Sequence, residues 1–161
     1  RGVRSRYGAS MPDELAVAPI AASEYEQVLP LIAAYQRFYE AAEIDEERNR
    51  AFFRRFLAPS EDGLLLGARA GGELLGFTCL YWTFSSVHAA ETVLLNDLYV
   101  AEAARGRGAG RALIEAAAAI ARERGAHRLE WVTATDNHTA QRLYDSFDAK
   151  RSEWLEYELG L

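Results

Sequence analysis

The sequence predicts an α/β fold, a single domain whose sheet has mixed strand direction, and three observations predict it. Strand-like segments from Leu64 to Val100 follow one another with no helix between them, joined by Gly71-Gly72 and by Ser85 to Ala89. The last of them, Glu91 to Val100, runs through a glycine-rich turn straight into alanine- and leucine-rich helical spacing, and Leu129 to Ala134 follows as another strand. A helix that crosses between two strands leaves them parallel, whereas tight connections leave them antiparallel. At 161 residues and 50% hydrophobic, the chain has the size of one domain and can bury a core.

Taken in order, Leu15 to Ile20 is a short β-prone stretch that Pro19 confines to a sheet edge, because proline cannot donate to a ladder. Ser23 is expected to cap a first helix, with Glu26 completing a capping box. Val28, Leu31, Ile32, Tyr35, Phe38 and Tyr39 mark its buried side, and Pro30 is a point of kinking. Asp45 caps a second helix in which Phe52, Phe53 and Phe56 recur at helical spacing until Pro59 stops it. The phenylalanines read as core. Tyr35 and Tyr39 read equally as core or as the lining of an acceptor pocket. The acidic run Glu40, Glu43, Asp45, Glu46 and Glu47 reads as a solvated helix face before an attractor of polyamines. From Gly63 the period changes, and Leu64 to Ala70 with Glu73 to Phe84 form a hairpin around Gly71-Gly72. The helix from Gly108 to Arg124 carries Leu113, Ile114, Ala117, Ile120 and Ala121 as one apolar stripe and ends at Gly125. Leu129 to Ala134 is a strand, Asn137 to Phe147 a short helix, and Lys150 to Leu159 a closing hairpin strand.

Composition narrows the functional classes. The formal charge is −6, and removing Arg1, Arg4 and Arg6 takes it to −9, which disfavours nucleic acid and favours cationic partners. Residues 1–10 hold those arginines without periodicity and are expected to be a disordered extension or an expression leftover, leaving 11–161 as the domain. No apolar run approaches the roughly 20 residues of a membrane span, and no signal peptide is recognisable. A cytoplasmic protein with no membrane partner is therefore expected. Cys79 is the sole cysteine, so an intrachain disulfide is impossible, and its apolar surroundings make it a buried hydrophobe before a reactive thiol. His88, His127 and His138 lack metal-ligand spacing, so no metal is expected.

The chemistry begins at Arg105-Gly106-Arg107-Gly108-Ala109-Gly110-Arg111. Glycines at alternate positions let a ligand approach the backbone, and the first helical turn offers amides without intrahelical partners. Arginines crowd the same place in an acidic chain, so a phosphate is the natural ligand. The turn comes late and lacks Gly-x-Gly-x-x-Gly, since Arg111 and Leu113 occupy the required positions; no Gly-Lys-Ser/Thr follows either. Read as Arg-x-x-Gly-x-Gly after Leu98-Tyr99-Val100, the turn resembles the coenzyme A pyrophosphate loop of the GNAT superfamily of N-acetyltransferases. Further on, Asn137, Ala140 and Leu143-Tyr144 are similar to the superfamily's later signature. Trp154 and Tyr157 resemble the ending of its diamine and polyamine branch and of small fungal relatives. Together the matches cover residues 91–158. One departure is Asp148, after Phe147, where the family usually has glycine.

The resemblance implies a mixed, mostly antiparallel sheet flanked by helices, with central parallel strands that splay, and acetyl-CoA as cosubstrate without a metal. Backbone groups of Leu98, Tyr99 and Val100 would bind pantetheine, and Arg105, Gly106, Arg107, Gly108, Ala109, Gly110 and Arg111 the pyrophosphate. Asn137 would contact the cofactor chain. An amine of pKa near 10 must shed a proton before it attacks a thioester, and the departing thiolate must gain one. Tyr144 is the candidate acid and Asp97 the candidate base, with Glu91 a weaker one further back on the strand. The Glu-Asp pair of the polyamine branch reads here as Asn96-Asp97, and an amide accepts no proton. Asn96, Tyr35 and Tyr39 are the candidate acceptor contacts. No cysteine or serine has an evident histidine partner, so transfer would be direct. The expected activity is acetylation of a small primary amine or polyamine, by a homodimer as the resemblance implies. Two alternatives stay open: an acyl-CoA sensor without turnover, and an enzyme acting on a protein or peptide amine through an open, shallow groove.

Overall fold

The computed structural model describes residues 14–160, so the extension expected at 1–10 lies outside the described residues. The chain forms two compact units, one ending at Trp131 and one beginning at Val132.

The first unit is a five-stranded sheet in the order β1 (Ala16–Pro19), β2 (Gly63–Ala70), β3 (Glu73–Ser85), β4 (Ala90–Val100), β5 (Leu129–Glu130). Every neighbouring pair is antiparallel except β4 and β5. β1 sits at the edge, as its proline requires, with Pro19 opposite Leu66. Helices α1 (Tyr25–Phe38) and α2 (Glu46–Phe53) lie on one face of the sheet, where Val28, Ile32, Phe53, Phe56, Leu65, Phe77 and Cys79 make a shared core. α3 (Ala109–Glu123) buries Leu113, Ile114, Ala117 and Ala121, the stripe its spacing predicts, with Ile120 half-buried.

Several local expectations are corrected. α1 is entered through a 3-10 turn at Ala22–Glu24, so the Glu24 carboxylate accepts from the Ala21 N–H at 3.3 Å while Ser23 stays exposed and uncapping. Glu26 instead pairs with Arg50 at 2.7 Å. The helix runs through Pro30. Phe38 and Tyr39 are half exposed, because they fall in the last turn and cap and meet each other edge-on at 5.1 Å rather than in the core. Asp45 caps α2 as expected, accepting from the Arg48 N–H at 2.9 Å. That helix stops at Phe53 and tightens into a 3-10 turn, which turns Phe56 inward and leaves Phe52 exposed. Glu40, Glu43, Glu46 and Glu47 are all exposed, the solvated face the run suggested.

One irregularity decides which way β4 points its side chains. Cys79 pairs with Asp97 but Leu80 pairs with Leu95, so Asn96 is an extra residue in β4. Directly opposed residues share a face of the sheet. Leu94, opposite Tyr81, and Asp97, opposite Cys79, therefore both face α1 and α2, although they stand an odd number of positions apart. Without the bulge, strict alternation would send Asp97 to the opposite side.

β5 is reduced from the expected Leu129 to Ala134 to Leu129–Glu130, paired with Val93 and Leu94 only. Parallel pairing cannot follow β4 past its bulge, so beyond Leu94 that edge of β4 has no strand among the described residues. In the second unit α4 (His138–Tyr144) is shorter than expected, capped by the Asn137 side chain, which accepts from the Ala140 N–H at 3.1 Å. Asp148 does not adopt a left-handed conformation, so its turn needs no glycine. No strand forms at 150–160. The alternation of Leu155, Tyr157 and Leu159 with glutamates is strand-like, but a strand needs a ladder, and these residues have none among those described.

Gly76 faces Val100 across the β3–β4 ladder, and a Cβ built there would lie 2.5 Å from the Tyr99 carbonyl oxygen. Gly76→Ala must push β4 away, and is expected to cost about 1–3 kcal/mol, read as a lower midpoint in chemical denaturation.

Candidate active site

A cavity of about 310 Å³ lies between α1, α2 and the sheet, lined by Tyr35 and Gln36 from α1, Arg48, Asn49, Phe52 and Phe53 from α2, Tyr81 from β3 and Asp97 from β4. Its aromatic walls form locally: Phe56 stacks on Tyr81 at 4.9 Å, and Phe52 meets Phe53 edge-on at 5.1 Å. Gln36 and Asn49 exchange amide hydrogen bonds at 2.8 and 2.7 Å, joining α1 to α2 at the cavity wall.

Asp97 supplies the site's buried charge. It is 5% exposed, and its Oδ2 has no hydrogen-bond partner. Burial pushes its pKa above the ordinary carboxylate range, while hydrogen bonds from Asn96 and Tyr35 pull the other way. Its backbone carbonyl accepts from the buried Thr78 hydroxyl at 2.6 Å, which pins the strand at this residue. Burial and the facing Asp97 charge raise the Tyr35 and Tyr81 phenols, so both remain neutral donors. Asn96, exposed at the bulge, donates to the Tyr81 hydroxyl at 3.1 Å.

Three groups weighed in the sequence lie elsewhere. Tyr39 is exposed at the end of α1, edge-on to Tyr35 at 5.0 Å, outside the cavity lining. Glu91 pairs with Arg124 at 3.3 Å and stands about 20 Å along the strand from Asp97. Cys79 is fully buried, and that burial pushes its thiol well above its usual range.

β4 continues from Asp97 through Leu98, Tyr99 and Val100, all half-buried, toward the glycine turn. There Gly106 and Gly108 hold φ of 77° and 86°, which only glycine adopts without strain. Gly108 is the N-cap of α3 and makes no side-chain cap hydrogen bond, so the opening amides of a 15-residue helix, at Ala109 and Gly110, are placed to meet an external anion. Arg105, Arg107 and Arg111 are exposed around them. Arg105 donates to the Val100 carbonyl at 3.4 Å and lies over the Phe38 ring, while Arg111 faces Glu115 at 3.6 Å. The turn thus suits a diphosphate. In the second unit, Asn137 is the α4 cap and Tyr144, half-buried, its last residue.

Sequence reasoning brought Tyr35 and Asp97 into this cavity and missed Tyr81, Arg48 and the Gln36–Asn49 pair. Tyr81 reads as one more apolar strand residue, and Arg48 as a solvated one. Only the Asn-Asp interruption of an apolar strand marked the bulge, and it carried no directional information.

The family model described as Acetyltransferase (GNAT) family matches residues 28–148. An uncharacterized N-acetyltransferase, YhfO, of Bacillus subtilis is 39% identical over 123 residues, 76% of this chain and 81% of that protein. The D-amino-acid N-acetyltransferase HPA3 of Saccharomyces cerevisiae is 36% identical over 145 residues, 89% of each chain. A crystal structure of a probable acetyltransferase superposes with a TM-score of 0.77 at 32% identity, covering 92% of this chain and 97% of that one.

Because burial raises the Asp97 pKa in the folded state, the unfolded chain ionises it first as pH rises. Stability linked to this group is complete below the ordinary carboxylate pKa of about 3.9 and is lost as pH climbs through the raised folded value. Asp97→Asn is expected to remove that loss, so its melting temperature gains on the wild type across this window. Parallel melting curves from pH 3 to 8 (about the working range of such buffers) check it.

Proposed function

The chain belongs to the GNAT acetyltransferase family, and from that premise we propose that it transfers an acetyl group from acetyl-CoA directly to the primary amine of a small molecule. The observation that carries the reading is Asp97: a buried carboxylate with an unpartnered oxygen, at an aromatic cavity, on the strand that leads to the glycine turn. A ligand pocket of drug-like size spans roughly 300–1,000 Å³, so a cavity of about 310 Å³ under two helices suits one small acceptor. A protein or peptide end would need a longer groove than a cavity of this size provides. The yeast relative, named for amino-acid substrates, supports a small acceptor as well.

Members of the family use acetyl-CoA, and the residues here fit it. Backbone groups of Leu98, Tyr99 and Val100 lie on a strand edge with no neighbour among the described residues, ready to pair with the pantetheine amides. Arg105 to Arg111, with the uncapped α3 amides, would hold the pyrophosphate. Asn137 is assigned to the cofactor chain from its place in the second motif. The bound cosubstrate supplies acetyl as a thioester, which an amine displaces to give an amide and a free thiol. Asp97 accepts the amine's proton at Oδ2, and its raised pKa makes it a better base than an exposed carboxylate. Tyr35 and Tyr81, neutral phenols, and Asn96 orient the amine and Asp97. Tyr144 is assigned the proton for the leaving thiolate, from its place in the motif; Tyr39 keeps at most a rim contact.

We take residues 11–161 as one acetyltransferase domain, because the family match runs through both units. We also propose a homodimer, since Trp154, Leu155, Tyr157 and Leu159 expose an apolar run that a second copy would cover. Light scattering is expected to give twice the monomer mass.

Acetyl-CoA with a panel of small amines is expected to release free thiol. Tyr144→Phe should slow turnover at least ~10²-fold with CoA affinity nearly unchanged by calorimetry. Binding of CoA without thiol release from any amine would favour a sensor instead. Absence of CoA binding by folded protein would end the proposal.

A further inference from the structure

Among the side chains that line the acceptor cavity, Asp97 is the one anion and Arg48 the one cation. They come from different elements, β4 and the first turn of α2. Between them the lining is aromatic or amide: Tyr35, Phe52, Phe53 and Tyr81, with Gln36 and Asn49 already bonded to each other. Asp97 offers an unpartnered buried oxygen to a cationic or donor group. Arg48 engages Glu43 at 3.3 Å, but both side chains are mostly exposed, 61% and 78%, and such a pair is weakly held. A carboxylate delivered into the cavity can take that guanidinium in two-point geometry.

Resting on the acetyl-transfer reading, we propose that the acceptor is an amino acid, its amine at Asp97 and its carboxylate at Arg48, and that Arg48 is the residue that selects it over a polyamine. A diamine of the same length would bring a second ammonium toward Arg48, where like charges repel. Glu40, Glu43, Glu46 and Glu47 all lie outside the lining, and the acidic run reaches Arg48 only through the exposed Glu43 pair, which screens part of that repulsion from outside the cavity. The aromatic walls take an apolar or long side chain, so phenylalanine and lysine are the natural probes.

The test pairs each probe with its decarboxylated counterpart: lysine with cadaverine, phenylalanine with phenethylamine, both amino acids as both enantiomers. Thiol release from acetyl-CoA gives kcat/KM for each. The wild type is expected to favour the amino acid of each pair by at least ~10-fold. Arg48→Gln should raise the amino-acid KM with kcat largely kept and bring the ratio toward one. Arg48→Lys should restore part of the preference, and Arg48→Glu should reverse it toward cadaverine. Each ratio is read within one preparation, so loss of folded protein cancels. A wild type that uses cadaverine as well as lysine, or a ratio that Arg48→Glu leaves unmoved, overturns the assignment and leaves acetyl transfer standing. Thiol release from no amine at all removes both.

Discussion

A strand repeats every two residues, and β4 carries one residue too many for that repeat. The extra position, Asn96, shifts the phase between Leu94 and Asp97, so that both face α1 and α2. The chemistry of the cavity depends on that shift. It places a carboxylate opposite Cys79 and beside Tyr35 and Tyr81, where α1 and α2 leave a cavity. The same bulge ends the match between β4 and its parallel neighbour, since pairing stops at Leu94. One insertion thus directs the carboxylate inward and frees the adjoining backbone edge. On the proposed reading the acceptor side and the cofactor side are both consequences of this local irregularity, and the strand that joins them runs on into the glycine turn.

The cost of this arrangement falls on Asp97. A buried acceptor left without a partner is destabilising by about 1–3 kcal/mol, and an ionised one by more. Tyr35 and Asn96 hydrogen-bond the carboxylate but do not occupy Oδ2. The surrounding structure holds the strain in place: Thr78 ties the Asp97 carbonyl to β3, and the core of Phe53, Phe56, Phe77 and Cys79 packs beneath the helices. A partner that arrives with a substrate ammonium satisfies the oxygen that folding leaves open. On the proposed reading, binding and catalysis draw on the same deficit, and the group that is costly in folding is the one that serves the substrate.

Much of this was legible in the sequence, for reasons that differ by element. The order of strands and helices followed from period and punctuation: Gly71-Gly72, Asp45 and the apolar stripe of α3 each have a local cause and appear where expected. The glycine turn was legible because Gly106 and Gly108 occupy positive φ, a requirement written in residue type. One miss is local and the others are tertiary. Ser23 offered a valid cap, but a 3-10 turn moved the capping to Glu24. The Leu129 to Ala134 run has strand character, yet a parallel strand persists only while its neighbour stays in phase, and the bulge breaks that phase. Phe38 and Tyr39 keep helical spacing to the end of α1 without core beneath them. The cavity draws on four elements spread from Tyr35 to Asp97, and Arg48 looks in sequence like any solvated arginine.

The chemistry available to Cys79 closes the argument for direct transfer. It is the chain's only thiol, and it stands across the ladder from Asp97, near enough for that charge to act on it. A covalent acetyl carrier would have to be a thiolate at neutral pH. Burial and the facing carboxylate both push Cys79 toward the protonated form, and its side chain has no exposed surface to offer a thioester. This agrees with the proposed direct transfer, in which the amine attacks the acetyl group itself and the demand for a base falls on the acceptor side of the sheet. Asp97 is the carboxylate in that cavity, so on the proposed reading the environment that disables the thiol also holds the group that takes the proton.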